Sequence, residues 1–277
     1  MMPSERRIAI LGAGNIGSAV ARGVVSAGLF PPEAITMTRR NLAALEKYKS
    51  EGFHVCRSNT EALESADLVL IAVTPQQLNG LLIEIGGALK PARHTIVSVV
   101  SGATIAEMRL KLGSEVAIIR AMPNTAIAIR ESMTCLATDQ REGRALGTVK
   151  RIFDSLGRAL LIGEDLMVPA TALCACGIAF FLRGIRAASQ GGIEIGFHAE
   201  DALLMAAQTA RGAASLLVEG GNHPEREVDK VTTPQGCTIA GLNQMEHYGF
   251  SSALIRGIVV SAEKAAVLYA HKDPPEH

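Results

Sequence analysis

The chain of 277 residues lacks a surplus of either charge, with 27 basic against 27 acidic side chains. That excludes a general nucleic-acid or membrane-surface binder, which carries a basic excess. It also lacks a C-x-x-C pair. Its five cysteines, Cys56, Cys135, Cys174, Cys176 and Cys237, form no even framework. Reduced thiols in a cytoplasmic protein are the expectation. Seven histidines are scattered without metal-ligand spacing, so no metal is expected. Met1 to Arg7 leads straight into a strand and a glycine turn, and no secretory signal is expected. The longest apolar run, Leu166 to Leu182, is broken by Pro169 and Gly177 and bounded by Asp165 and Arg183. It falls short of a membrane span. It reads as a buried helix, with a subunit contact as a natural setting. Internal repeats and low-complexity stretches are also missing.

What is present is an ordinary globular composition, 48% hydrophobic and 19% charged. The most informative stretch is Arg7 to Gly23. Ile8, Ala9, Ile10 and Leu11 run directly into Gly12-Ala13-Gly14-Asn15-Ile16-Gly17, followed by a helix-compatible segment. Strand, glycine turn, helix is the order that a dinucleotide-binding βαβ unit requires. Gly12 permits the tight turn, Gly14 admits a pyrophosphate close to the backbone, and Gly17 lets helix and strand pack closely. The N–H groups at the helix start then face the anionic diphosphate.

Strands and helices alternate through the first half. Residues 34–38, Val55, 68–73, 95–100 and 116–120 read as strands, and 42–51 and 59–65 as helical. The fully apolar run at 68–73 suits a strand buried on both faces. Residues 133–137 and 159–162 extend the sheet at one edge. Such alternation predicts a parallel, doubly wound sheet. Beyond about Gly163 the strand signals stop. Segments 166–190, 199–218, 236–247 and 251–270 are rich in helix formers and are punctuated by Gly191-Gly192, Gly220-Gly221-Asn222 and Tyr248-Gly249. The expectation is therefore an α/β chain: a Rossmann-type nucleotide domain at 1–164 and an all-helical domain at 165–277. The polar tail Lys272 to His277 is expected to fray.

The ribose partner of a dinucleotide lies about 20 residues past the glycines. An acid there favours NAD. This chain has Thr38, Arg39 and Arg40 and no acid. Guanidinium groups suit a 2′-phosphate, so NADP(H) is expected, with NAD(H) the alternative. Three loops at the ends of later strands line the cofactor and the reacting centre: Ala72-Val73-Thr74-Pro75, the Ser101 to Thr104 turn, and Pro123-Asn124-Thr125.

In the second half, Thr233-Pro234 reads as an N-cap and first position of a helix. The N–H groups of Gln235, Gly236 and Cys237 would then form an anion site for a carboxylate. Thr238 sits one turn in, with a hydroxyl near the bound anion.

Taken together, the pattern resembles the pyrroline-5-carboxylate reductase family. The residues that carry the resemblance are the early GAGNIG, Met122-Pro123-Asn124-Thr125, Gly221-x-His223-Pro224, and Val231-Thr232-Thr233-Pro234-x-Gly236-x-Thr238 followed by Ile239-x-Gly241-Leu242. The resemblance covers nearly the whole chain. It implies NADPH-dependent reduction of 1-pyrroline-5-carboxylate, a cyclic imine, to L-proline. It implies Thr238 as proton donor or water-orienting hydroxyl, since the late motif holds no Asp, Glu, Lys or His. It also implies a homodimer built from the C-terminal helices, with larger rings in some members. Two segments depart from the family. Thr233, Gln235 and Cys237 stand where Ser, Gly and Thr are usual, the threonine keeping the capping hydroxyl, and Ala175-Cys176-Gly177-Ile178-Ala179 replaces a Gly-Ser-Gly-Pro-Ala run. Gln235 is tolerable if its backbone does not need φ > 0. A reductase of another imine or keto acid and a non-catalytic NADP-binding regulator are the competing readings.

Overall fold

The computed structural model describes residues 6–140 and 143–270, with side chains to residue 267. The expected fraying of Lys272 to His277 lies outside the described residues. An eight-stranded sheet has the order β3-β2-β1-β4-β5-β6-β7-β8. Its strands are β1 (Ile8–Leu11), β2 (Ile35–Thr38), β3 (His54–Cys56), β4 (Leu68–Ile71), β5 (Thr95–Ser98), β6 (Ala117–Met122), β7 (Ser132–Ala137) and β8 (Gly157–Leu161). Every pairing is parallel except β6 with β7. Helices α1 (Asn15–Ser26), α2 (Glu46–Ser50), α3 (Asn59–Glu64), α4 (Pro75–Gly86), α5 (Ile105–Leu112) and α6 (Arg144–Asp154) connect the strands.

The period-two geometry of the strands sorts their apolar side chains into two layers. Ile8 and Ile10 join Val20, Val24, Val149 and Phe153 on the face covered by α1 and α6. Ala9 and Leu11 join Leu82, Ile85, Ile105 and Met108 on the face covered by α4 and α5. With both faces covered, the central strands can be apolar throughout. β1 lies between β2 and β4, so the strand order reverses there. The crevice beyond the carboxyl ends of such strands is where open α/β sheets bind ligands. The apolar run at 116–120 belongs to a strand that continues to Met122, so the following loop starts at Pro123.

The helical part comprises α7 (Met167–Ala170), a π-helical turn at Thr171–Cys176, α8 (Gly177–Glu194), α9 (Ala199–Gly220), α10 (Pro224–Val231), α11 (Cys237–His247) and α12 (Phe250–Ala270). The chain divides into two compact units. One runs to Ala175 and takes in the end of α12 from Ala262; the other is Cys176–Ser261. Within the second unit, α8 and α9 pack through small residues. A Cβ on Gly192 would come within 3.0 Å of the Ala202 Cβ.

Within one chain the run Leu166 to Leu182 buries Met167, Thr171, Ala172 and Gly177 and exposes Leu166, Leu173, Phe181 and Leu182. Gly177 and Ser189 are the buried residues of α8, while Phe181 and Leu182 are exposed. Too few helices surround α8 in a single chain to cover it. Glu164–Glu194 is long and apolar enough to cross a membrane, by length and composition alone.

Candidate functional site

The glycine turn is held from below by β2. The Thr38 carbonyl accepts from Gly12 N–H at 3.3 Å and Ala13 N–H at 2.9 Å. Gly12 adopts φ +99°, and a Cβ there would lie 2.7 Å from the Ala72 carbonyl oxygen. Gly17 packs α1 against the turn, where a Cβ would meet the Gly12 carbonyl oxygen at 2.5 Å. Gly14 faces open space with nothing within 4 Å of a built Cβ. It is the N-cap of α1 and gives that helix no side-chain cap. The first-turn N–H groups at Asn15, Ile16 and Gly17 therefore have no helical acceptor. Three glycines thus do three different jobs, and the open one lies where an anion could approach.

The remaining expected cofactor residues divide in two. Arg39 and Arg40 are exposed at the end of β2. The Arg39 guanidinium donates to the Ala13 carbonyl at 3.4 Å, which puts its charge beside the glycine turn. Ala72, Val73, Thr74 and Pro75 follow β4, with Ala72 N–H donating to Leu11 at 2.8 Å. They bring the end of β4 alongside the turn, and Thr74-Pro75 starts α4. Thr38, by contrast, is almost fully buried, and its hydroxyl donates to Asn59 Oδ1 at 2.6 Å. Its structural duty comes from position: the first buried residue before an exposed pair holds the loop and leaves the charges outside.

Pro123 and Asn124 are buried beyond β6. Asn124 is a scaffold. Its N–H donates to Ser132 Oγ at 3.1 Å, Nδ2 donates to the Cys174 carbonyl at 3.2 Å, and Oδ1 accepts from Ala126 N–H at 3.0 Å. This fixes the loop that the resemblance sets near the reacting centre.

An ion pair at the same sheet edge had no sequence signal. Arg120 in β6, 5% exposed at its side chain, pairs with Glu164 at 3.0 Å. The same Glu164 oxygen accepts the Ile105 N–H that opens α5, at 2.7 Å. Arg120 resembled the end of an apolar strand, and Glu164 lay at the composition change, 44 residues away. Glu164 is 34% exposed at its side chain, so the pair sits at the boundary between core and solvent, with the buried charge on Arg120.

In the second unit the late motif differs locally from its expected form. Thr233-Pro234 does not open a helix. The Gly236 N–H donates to the Thr233 carbonyl at 3.0 Å, closing a β-turn, and α11 starts at Cys237 with Gly236 as N-cap. Pro234 is at home at the second position of such a turn. Gln235 takes φ +60°, so the left-handed conformation that glycine supplies in this turn is required here after all. The open first-turn N–H groups shift accordingly from Gln235, Gly236 and Cys237 to Cys237, Thr238 and Ile239. Thr238 is half-buried, Gln235 and Cys237 are exposed, and Thr233 is exposed with its hydroxyl against Gly236. The Gly221-x-His223-Pro224 motif is structural. Gly221 closes α9 at φ +65°, His223 Nδ1 caps α10, and Pro224 is its first residue.

The strand order, its reversal at β1 and the open helix start define the class: a Rossmann-type dinucleotide-binding protein with an appended helical unit. Comparison with known proteins narrows it. Residues 164–268 match the pattern described as pyrroline-5-carboxylate reductase dimerisation, and residues 7–102 that of NADP oxidoreductase, coenzyme F420-dependent. Pyrroline-5-carboxylate reductase 2 of Dictyostelium discoideum is 47% identical, over 96% of this chain and 94% of its own. Reductase 1 of that organism is 54% identical over 97% of this chain, which spans about half (51%) of that longer relative. The structure of a pyrroline-5-carboxylate reductase from Coxiella burnetii superposes with TM-score 0.89 at 26% identity, covering 95% and 98% of the two chains. The chain belongs to the pyrroline-5-carboxylate reductase family.

Proposed function

We propose that this protein reduces 1-pyrroline-5-carboxylate to L-proline with NADPH; its relatives are named pyrroline-5-carboxylate reductases. The observation that carries the cofactor half is the uncapped start of α1 over an unobstructed Gly14, with Arg39 beside it. A pyrophosphate fits that start through N–H groups and helix dipole. Arg39 and Arg40 would take a 2′-phosphate. When bound, NADPH supplies the hydride for the imine carbon.

The chain's own residues supply placement and charge. The Cys237, Thr238 and Ile239 N–H groups at the start of α11 receive the substrate carboxylate. The Thr238 hydroxyl donates toward the imine nitrogen, directly or through one water, because a protonated C=N accepts hydride better. A threonine has no useful pKa near neutrality, so most of the rate comes from positioning. The exposed apolar face of α8 to α12 supports self-association as a homodimer. The five free cysteines support a reducing, cytoplasmic setting.

Purified protein mixed with 1-pyrroline-5-carboxylate should consume NADPH, read as falling absorbance. No turnover around neutral pH with NADPH or NADH would overturn the assignment. Thr238→Ala should lower kcat by about 10²–10⁴-fold while leaving NADPH affinity unchanged; equal losses in both would make Thr238 structural. Gln235 favours one second reading. Its side chain projects from the turn where the family has glycine, so a different imine or keto acid is the competing substrate. A substrate panel under the same assay separates the two.

A further inference from the structure

Cys135 and Cys174 are 39 residues apart in sequence, yet their Sγ atoms lie 4.0 Å apart. Cys135 is buried in β7, with Met122, Ala137 and Met167 around it. Cys174 is half-buried in the π-helical turn Thr171–Cys176. The two thiols are unlike. Their contact, in which either sulfur can donate, brings the Cys174 thiol down to about 7, while the same contact and burial push Cys135 up. Cys174 is therefore the more acidic sulfur of the pair and the readier nucleophile. Oxidation of cysteine is selective for exposed thiolates with a second thiol in reach.

The pair is also wired to the cofactor side of the sheet. The Cys174 carbonyl accepts from Asn124 Nδ2 at 3.2 Å, and Asn124 caps the turn that follows Pro123. A π-turn is an irregular and adaptable piece of helix, often kept at functional positions. Closing a disulfide needs about 2.05 Å between the sulfurs, so the turn carrying Cys174 must move. The Asn124 support moves with it.

We propose that Cys135 and Cys174 form an oxidisable pair whose disulfide loosens the Asn124 loop and switches the enzyme off. Its effect on turnover rests on the reductase reading above; the pairing itself does not. The oxidant is a peroxide. The Cys174 thiolate attacks one peroxide oxygen and becomes a sulfenic acid as hydroxide leaves. The Cys135 thiol then attacks that sulfur. The Sγ–Sγ bond forms, and the sulfenic oxygen leaves as water with the Cys135 proton. Two thiols lose two electrons, and hydrogen peroxide takes them to give two waters.

The test treats the full-length protein with hydrogen peroxide and reads three things. Digestion without reductant should give a linked peptide pair holding Cys135 and Cys174, lost in Cys174→Ala. Turnover of the unaltered protein should fall about tenfold or more and return with dithiothreitol. Cys135→Ala, which keeps a small apolar group in the core, should lose no more than about twofold under the same treatment, since a buried thiol packs as a small hydrophobe. Absence of the linked peptide, or equal inactivation of Cys135→Ala, overturns the proposal. A linked peptide with unchanged turnover overturns the switch. If the protein never turns over pyrroline-5-carboxylate, the linkage and NADPH-binding fluorescence before and after peroxide still decide it. Unchanged NADPH binding would then reject the coupling to Asn124.

Discussion

The sheet unit and the helical unit use the same apolar residue types to different ends. In the sheet unit, Leu11, Ile71, Leu82 and Ile85 are all at most 1% exposed, packed in one core between strands and helices of the same chain. In the helical unit, Phe181, Leu204 and Ile255 are 62%, 70% and 63% exposed. The first pattern is a closed core. The second is a set of helices apolar beyond one stripe, which a single chain cannot cover. The difference teaches that periodicity reports a helix, and the width of its apolar face reports how much surface must come from elsewhere.

The largest test of that contrast is one substitution made in both places. Leu82→Ala should cost about 2–5 kcal/mol at every protein concentration, through lost burial and a cavity. Leu204→Ala should cost about 0.5 kcal/mol or less in a dilute monomer, as a surface change. At high protein concentration its cost should grow, because self-association stabilises by mass action. Urea unfolding of both variants across a hundredfold range of concentration, roughly the span over which linkage is read, decides it. A Leu204→Ala cost independent of concentration would remove α9 from any self-interface.

The next contrast is between a side chain outside the fold and one inside it. Arg39 lies exposed by the glycine turn, whereas Thr38 beside it is buried in a structural role. Arg39→Ala should weaken NADPH about 10–100-fold, the size of a charge-assisted hydrogen bond, and NADH by less than about twofold, since that cofactor lacks the 2′-phosphate. Calorimetric titration of both cofactors separates this from a structural role, in which both would weaken alike.

These pairs also show what could be read in advance. The strand-turn-helix at Ile8 to Gly17, the sheet class and the helical second half follow from local composition, because buried parallel strands are apolar runs and glycine marks tight turns. Arg120 with Glu164, and Cys135 with Cys174, could not be read, because a contact between distant positions leaves no trace in spacing. The turn at Thr233 to Gly236 differs from the expected helix start for a physical reason. Thr-Pro suits both a helix start and a β-turn, and the φ of Gln235 decides between them. Which chain covers the apolar face of α8 could not be read either, because hydropathy says that an apolar surface needs covering, not by what.

The left-handed Gln235 offers a test on the helical unit. A non-glycine residue at φ +60° is strained by about 1–2 kcal/mol, against about 0.4–1 kcal/mol that glycine costs through the unfolded chain. Gln235→Gly should therefore stabilise by about 0.5–1 kcal/mol, read as a small rise in Tm. A fall in Tm would mean that the glutamine side chain itself holds the turn.

The smallest effect belongs to His94 in the sheet unit. Its ring is 2% exposed, with Nδ1 accepting from Lys90 N–H at 3.0 Å and Nε2 3.2 Å from the Leu63 carbonyl. A neutral ring protonated on Nε2 satisfies both contacts. A second proton on Nδ1 would meet the Lys90 N–H donor. Burial pushes the His94 pKa below its ordinary value, with Arg93 and Lys90 acting in the same direction against the Leu63 carbonyl and Asp67. As pH falls, the unfolded chain takes up the proton first, at about 6.5. Stability from this group is thus complete above about pH 6.5 and is lost as pH falls toward the lower folded value. Tm measured from about pH 7 down to 5 should decline in the unaltered protein and decline less in His94→Gln, whose side chain stays uncharged over that range. Equal slopes would place the acid sensitivity elsewhere in the sheet unit or in the helical one.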